Sequence, residues 1–128
     1  SDFGFLSAGL VVEELGKTLT ASPLVMNTVA ASAIVLGGSD EQKARWLPRL
    51  ASGEAIATLA VDEGPSHDPA KIETSVSDGK LSGTKAFVHE AHGADLFVVA
   101  AKDGRPGALV VSEVLVRRSG LGRGRHVF

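Results

Sequence analysis

The run His89-Glu90-Ala91-His92 sets two imidazoles and a carboxylate side by side, the donor types of a zinc peptidase. In that chemistry the histidines stand four apart on one helix face, so that both meet one ion while the glutamate acts as base. Here the spacing is three. The segment also reads as the end of a strand, where residues 89 and 92 point to opposite faces. A surface cluster at a strand-to-loop junction is expected, with no metal. Ser66-His67-Asp68 holds the residue types of a hydrolase relay, but consecutive residues cannot align nucleophile, base and orienter. The segment Asp62-Glu63-Gly64-Pro65-Ser66-His67-Asp68-Pro69 is more informative as a long turn, rich in Gly, Pro and acid, leaving an apolar strand. Turns so placed carry ligands or serve as plain solvated connections.

Arg117, Arg118, Arg123, Arg125 and His126 make the C-terminus basic. Gly120-Leu121-Gly122 beside them lacks the third glycine of a dinucleotide fingerprint and does not lie between a strand and a helix. Binding of nucleic acid would also want aromatic rings among the charges, and only Phe128 is near. A solvated tail is expected. Trp46, the single tryptophan, shares a helix with Leu47 and Leu50 and is expected in the core.

The elements that must position these residues fall in two regimes. From Phe3 to Leu19, the apolar Leu6, Leu10, Val11, Leu15 and Leu19 step by three or four with Glu13, Glu14 and Lys17 between them, which predicts an amphipathic helix. Ser22-Pro23 starts a second helix, Leu24 to Leu36, that is apolar almost all round and should be buried. Gly37-Gly38 ends it, and Ser39-Asp40-Glu41-Gln42 is a capping box for a third helix running to about Ser52. Pro48 predicts a kink or break there. After Gly53 the period moves toward two. Ile56–Val61, Ile72–Val76, Lys85–Val88, Asp95–Ala100 and Ala108–Val111 read as strands between short Gly, Asp and Pro turns, with Val114–Arg118 a further candidate. The fold class is α+β: about three helices, then an antiparallel sheet or barrel.

Composition bounds the function classes. The chain has 128 residues, 44% hydrophobic and 22% charged, with a net charge of −2, so no whole-molecule field draws it to nucleic acid or an anionic membrane. With no cysteine, thiol catalysis, disulfides and thiolate zinc sites are excluded. The apolar stretch Leu24–Gly38 is interrupted by Asn27, Thr28 and Ser32 and falls short of the roughly 20 residues a bilayer needs. Ser1-Asp2-Phe3 has no positive region and reads as a processed or excised end rather than a signal peptide. A cytoplasmic protein with no nucleic-acid or membrane partner is expected.

Three stretches in order carry a family resemblance: Asp40-Glu41-Gln42-Lys43-Ala44-Arg45-Trp46-Leu47-Pro48-Arg49-Leu50-Ala51-Ser52-Gly53-Glu54, then Leu81-Ser82-Gly83-Thr84-Lys85-Ala86-Phe87-Val88, then Ala94-Asp95-Leu96-Phe97-Val98-Val99. With Val12-Glu13-Glu14-Leu15-Gly16 upstream, the chain resembles the acyl-CoA dehydrogenases from about residue 5 to 111. The resemblance implies part of an N-terminal helical domain over 1–54 and a middle β-domain over 55–128, the C-terminal helical bundle missing. It implies FAD-dependent α,β-desaturation of an acyl-CoA substrate, electrons passing to an electron-transfer flavoprotein, and a homo-oligomer. In the family the base that removes the α-proton comes from the C-terminal bundle, so no catalytic residue is assigned here. The alternative is a non-catalytic member that keeps the fold as a scaffold for a catalytic partner.

Carried over residue by residue, the resemblance implies that Leu59, Val61, Asp62, Phe87, Val88 and His89 border the flavin. His67 and Asp68 fall near the pyrophosphate or thioester side. The sequence departs from the family at Asp62-Glu63-Gly64, where Thr-Glu-Pro is usual, in a turn one residue short with His67 in place of a serine. His89 and Glu90 replace a hydroxyl residue and Asn. An ionised Asp62 only accepts hydrogen bonds and would repel negative charge on a neighbouring flavin, whereas a His89 N–H can still donate.

Overall fold

A computed structural model describes residues 4–66, 68–102, 109–112 and 125–127. Three helices come first: α1 (Phe5–Lys17), α2 (Leu24–Gly37) and α3 (Asp40–Ser52). Then follow β1 (Ala57–Ala60), a 3₁₀ turn (Pro69–Lys71), β2 (Ser75–Ser77), β3 (Lys80–Ser82), β4 (Thr84–Ala86), β5 (Leu96–Ala100), β6 (Leu109–Ser112) and β7 (Arg125–Val127). The α+β class and the order of helices before strands are as the sequence predicts.

Helix α3 begins on its capping box. Ser39 Oγ accepts from the Gln42 N–H at 3.2 Å and Gln42 Oε1 accepts from the Ser39 N–H at 3.0 Å, so two free donors are satisfied at once. It ends at Gly53, whose φ of 75° suits a left-handed cap. The break expected as one outcome at Pro48 does not occur: a single helix runs through it. Ala44, whose carbonyl loses its partner, is exposed like Pro48, so water can serve that acceptor.

Helix α2 corrects a second expectation. Its apolar surface is covered on one side only: Ala30 and Ile34 are buried, while Val25, Val29, Val35 and Leu36 are exposed. No residue of α1 is buried either. The hydroxyls in α2 are satisfied internally, Thr28 donating to the Leu24 carbonyl and Ser32 to that of Thr28.

The central sheet has the order β1-β5-β6. β5 pairs antiparallel with β6 but parallel with β1, Ala57 facing Leu96 and Ala60 facing Val99. The sequence predicts antiparallel pairing throughout. Parallel neighbours need a long crossover, and β2 to β4 provide it. β5 is buried along its whole length, as strands covered on both faces are. Leu96 and Val98 join Ala30, Ile34, Trp46 and Leu50 in one cluster, whereas Phe97 and Val99 join Ala60 and Ala91 in another. Trp46 is in the core as expected, with the Arg45 and Arg49 guanidinium groups 5.3 and 4.9 Å from its ring centre.

One side chain joins helices to sheet. Asn27 Oδ1 accepts from the Ala57 N–H at 2.8 Å while its Nδ2 donates to the Leu50 carbonyl at 3.4 Å. β2 and β3 form a hairpin around Asp78 and Gly79, at φ 51° and 72°, the left-handed pair that an Asp-Gly turn supplies. The strand expected over Ile72–Val76 is therefore β2, starting later, after the 3₁₀ turn. β4 pairs with β7, in a stretch expected from the sequence to be a solvated tail. The expected strand at Val114–Arg118 lies outside the described residues.

Candidate functional site

The turn after β1 is held by a buried cation. Lys85, on β4, is 0% exposed, and its Nζ donates to the Val61 carbonyl at 2.9 Å and to Glu63 Oε1 at 2.7 Å. A buried ammonium without partners is costly; this one has a carbonyl and a carboxylate. Glu63 in turn accepts from the Glu73 N–H at 2.6 Å, the Thr74 N–H at 2.9 Å and the Thr74 hydroxyl. Burial raises the Glu63 pKa, but the Lys85 ammonium, the Thr74 hydroxyl and the two backbone N–H groups outweigh it, bringing the pKa from 4.5 down to about 2. The carboxylate is thus charged at neutral pH.

The same strand reaches the turn once more, the Ala86 N–H donating to the Asp62 carbonyl at 2.7 Å. Lys85 and Ala86 together grip residues 61 to 63. Immediately afterwards Phe87 adopts a φ of 54° with 62% of its surface exposed, an arrangement a bulky residue rarely takes. The far end of this loop is pinned as well: Thr58, buried on β1, donates its hydroxyl to the His89 carbonyl at 2.6 Å.

Beside the grip lies a cleft of about 230 Å³, walled by residues 61–66 and by Asp68, Lys71, Ile72 and Glu73. Asp68 caps the 3₁₀ turn, accepting from the Ala70 N–H at 3.1 Å, and pairs with Lys71 at 3.2 Å. Of the residues picked from the sequence, the structure brings Val61, Asp62 and Asp68 to this cleft. Phe87 and His89 stand exposed on the adjoining loop, and Val88 packs on the cluster of Ala60, Ala91, Phe97 and Val99. Leu59 faces the other side of β1, against the helix-side core. His67 lies outside the described residues. His89 and His92 are both exposed, on a turn just after β4, as a surface cluster at the strand-to-loop junction should be.

Sequence reasoning missed Glu63, Lys85, Thr58 and Thr74. The available signal was Lys85 itself, one long cation inside the strand-like run Lys85-Ala86-Phe87-Val88.

Residues 1–54 match the family described as acyl-CoA dehydrogenase, N-terminal domain. Over 105 residues the chain is 35% identical to the mitochondrial short/branched chain specific acyl-CoA dehydrogenase of Bos taurus, a match covering 76% of this chain and 24% of that protein. Its structure is similar to that of an acyl-CoA dehydrogenase from Geobacillus kaustophilus, with a TM-score of 0.76 and 29% identity over 99% of this chain and 40% of the other. A glutaryl-CoA dehydrogenase from Mycobacterium smegmatis in complex with FADH2 matches with a TM-score of 0.61 and 32% identity, over 76% of this chain and 30% of that one. The chain spans roughly a quarter of the length of the curated relatives it matches. By its sequence and its fold the chain belongs to the acyl-CoA dehydrogenase family.

Proposed function

We propose that this chain is the flavin-side portion of an FAD-dependent acyl-CoA dehydrogenase that desaturates an acyl-CoA thioester between the α and β carbons. Residues 1–54 then belong to its helical domain and 55–128 to its β-domain. The observation that carries the reading is the exposed Phe87 at positive φ, following directly on Ala86, whose N–H is bonded to the Asp62 carbonyl, in a chain of this family.

The residues present fit a flavin. Phe87 offers a free aromatic face for a planar ring system. His89 has an exposed imidazole able to donate. Asp62 departs from a hydroxyl donor, and as a carboxylate it can accept from an imide N–H while disfavouring negative charge nearby. FAD, when bound, supplies a two-electron acceptor for the hydride leaving the β carbon. This chain's own residues orient that cofactor and screen its edge from water; the base for the α-proton is assigned to no residue here. Electrons would pass onward to an electron-transfer flavoprotein, and a homo-oligomer would cover the exposed faces of α1 and α2.

The test is the flavin content of the full-length protein as purified, followed by bleaching of its visible absorbance with short acyl-CoA thioesters. Stoichiometric FAD that bleaches supports the reading. Asp62 and His89 favour one alternative, a member that keeps the fold as a scaffold. It predicts no flavin in the natural protein and uptake once Asp62→Thr and His89→Thr are made together. Flavin in the unmodified protein sinks the scaffold.

A further inference from the structure

We propose that Lys85 and Glu63 are positioning residues that set the geometry of the cofactor edge, a role that rests on the FAD reading above. Three consecutive residues of the turn, 61 to 63, are held by two consecutive residues of β4 through the Val61 carbonyl, the Asp62 carbonyl and the Glu63 carboxylate. The residue immediately after β4 is Phe87. The ring and the Val61–Asp62 edge are therefore not positioned independently: the Lys85 ammonium fixes one to the other through a single fully buried side chain.

Glu63 ties this turn to the segment that follows the 3₁₀ turn. Its carboxylate is shared between Lys85 and the backbone of Glu73 and Thr74, so that segment is linked through Glu63 to the ammonium that holds the turn. Thr58 closes the other end of the loop through the His89 carbonyl. Between these anchors the Phe87 backbone is kept at a φ that a bulky L residue leaves when free to do so. The cleft carries Asp62, Asp68 and Glu73, with Lys71 beside Asp68.

A merely structural ion pair and a positioning one differ in what a double substitution restores. Lys85→Met alone leaves the Glu63 carboxylate in its pocket without its counter-ion and lowers the thermal midpoint. Adding Glu63→Gln removes the unpaired charge and returns part of that midpoint, the remainder lost because one acceptor oxygen becomes an NH2 facing a donor. The anchor on the Val61 carbonyl stays lost. In the full-length protein, titrated with FAD and followed by quenching of flavin fluorescence, Lys85→Met/Glu63→Gln is expected to bind about tenfold more weakly than wild type despite its partly recovered midpoint. Thr58→Val, nearly isosteric and outside the ion pair, is expected to weaken FAD binding about threefold while folding normally.

The proposal is overturned if wild type binds FAD and both the double variant and Thr58→Val bind it within about twofold of wild type. That result leaves the FAD reading standing. A wild-type protein that takes up no FAD overturns both. If the double variant does not fold, Thr58→Val decides alone: weakened binding at an unchanged midpoint supports the anchored loop, and unchanged binding overturns it.

Discussion

A Cβ placed on Gly83 would lie 2.8 Å from the Cα of Thr74, so these residues meet with no space for a side chain between them. Thr74 is buried, and its hydroxyl serves Glu63. Gly83→Ala must push the Thr74 backbone away from the carboxylate it supports. A loss of about 1–3 kcal/mol in stability is expected, measured by urea unfolding, against little change for Gly64→Ala, where a Cβ meets nothing within 4 Å. Equal effects would refute the close-approach explanation.

The Glu63 carboxylate also predicts an acid limb. Its folded pKa, about 2, lies below the ordinary 4.5, so its contribution is fully present above about pH 5 and is lost as pH falls toward about 2. Glu63→Gln should cost on the order of 1–3 kcal/mol at pH 7, the carboxylate being partly exposed. The difference from wild type should shrink steadily below about pH 4.5. Chemical denaturation of both proteins across that range checks the sign, and a gap that widens on acidification would be incompatible with it.

Asn27 provides a test at the junction of helices and sheet. Its Oδ1 satisfies the N–H of Ala57, a residue with no exposed surface. Asn27→Ala leaves that donor buried without an acceptor, at a cost of about 1–3 kcal/mol. Amide hydrogen exchange should quicken at Ala57 and its neighbours on β1 before it quickens in the β2–β3 hairpin.

Phe87 should separate stability from binding. Its ring is largely exposed and its φ of 54° disfavours a bulky side chain, so Phe87→Gly should leave the fold as stable or up to about 1 kcal/mol more so. The same change should abolish measurable FAD uptake by the full-length protein if the ring is the cofactor's platform. A glycine variant that binds FAD like wild type would assign the strain no cofactor role.

Helix starts and stops were legible because they are local. Ser39, Gln42 and Gly53 act within a few residues of one another, and their types announce what their backbones need. The β-domain was less legible. Nothing within the run from Leu96 to Ala100 says whether its neighbour runs parallel, since the answer depends on how far β2 to β4 carry the chain before it returns. Lys85 was hidden for a related reason: alternation marks which side of a strand a residue faces, but the carboxylate that allows a lysine inside comes from a turn distant in sequence. Pro48 misled because the cost of a missing N–H depends on whether the orphaned carbonyl reaches water. Of the residues read as lying along a flavin, Val61, Asp62 and Asp68 line the cleft, while Leu59 faces the helices.

The parallel pairing of β1 with β5 also sets an order of events in folding. Ala57 cannot meet Leu96 until the chain between them has closed into a loop, and that closure is an entropic cost incurred before any ladder bond forms. The β2–β3 hairpin, turning on Asp78 and Gly79, needs no such closure and can shorten the loop in advance. Substitutions at that tight turn should therefore slow refolding, while those along β1 and β5 act chiefly on unfolding.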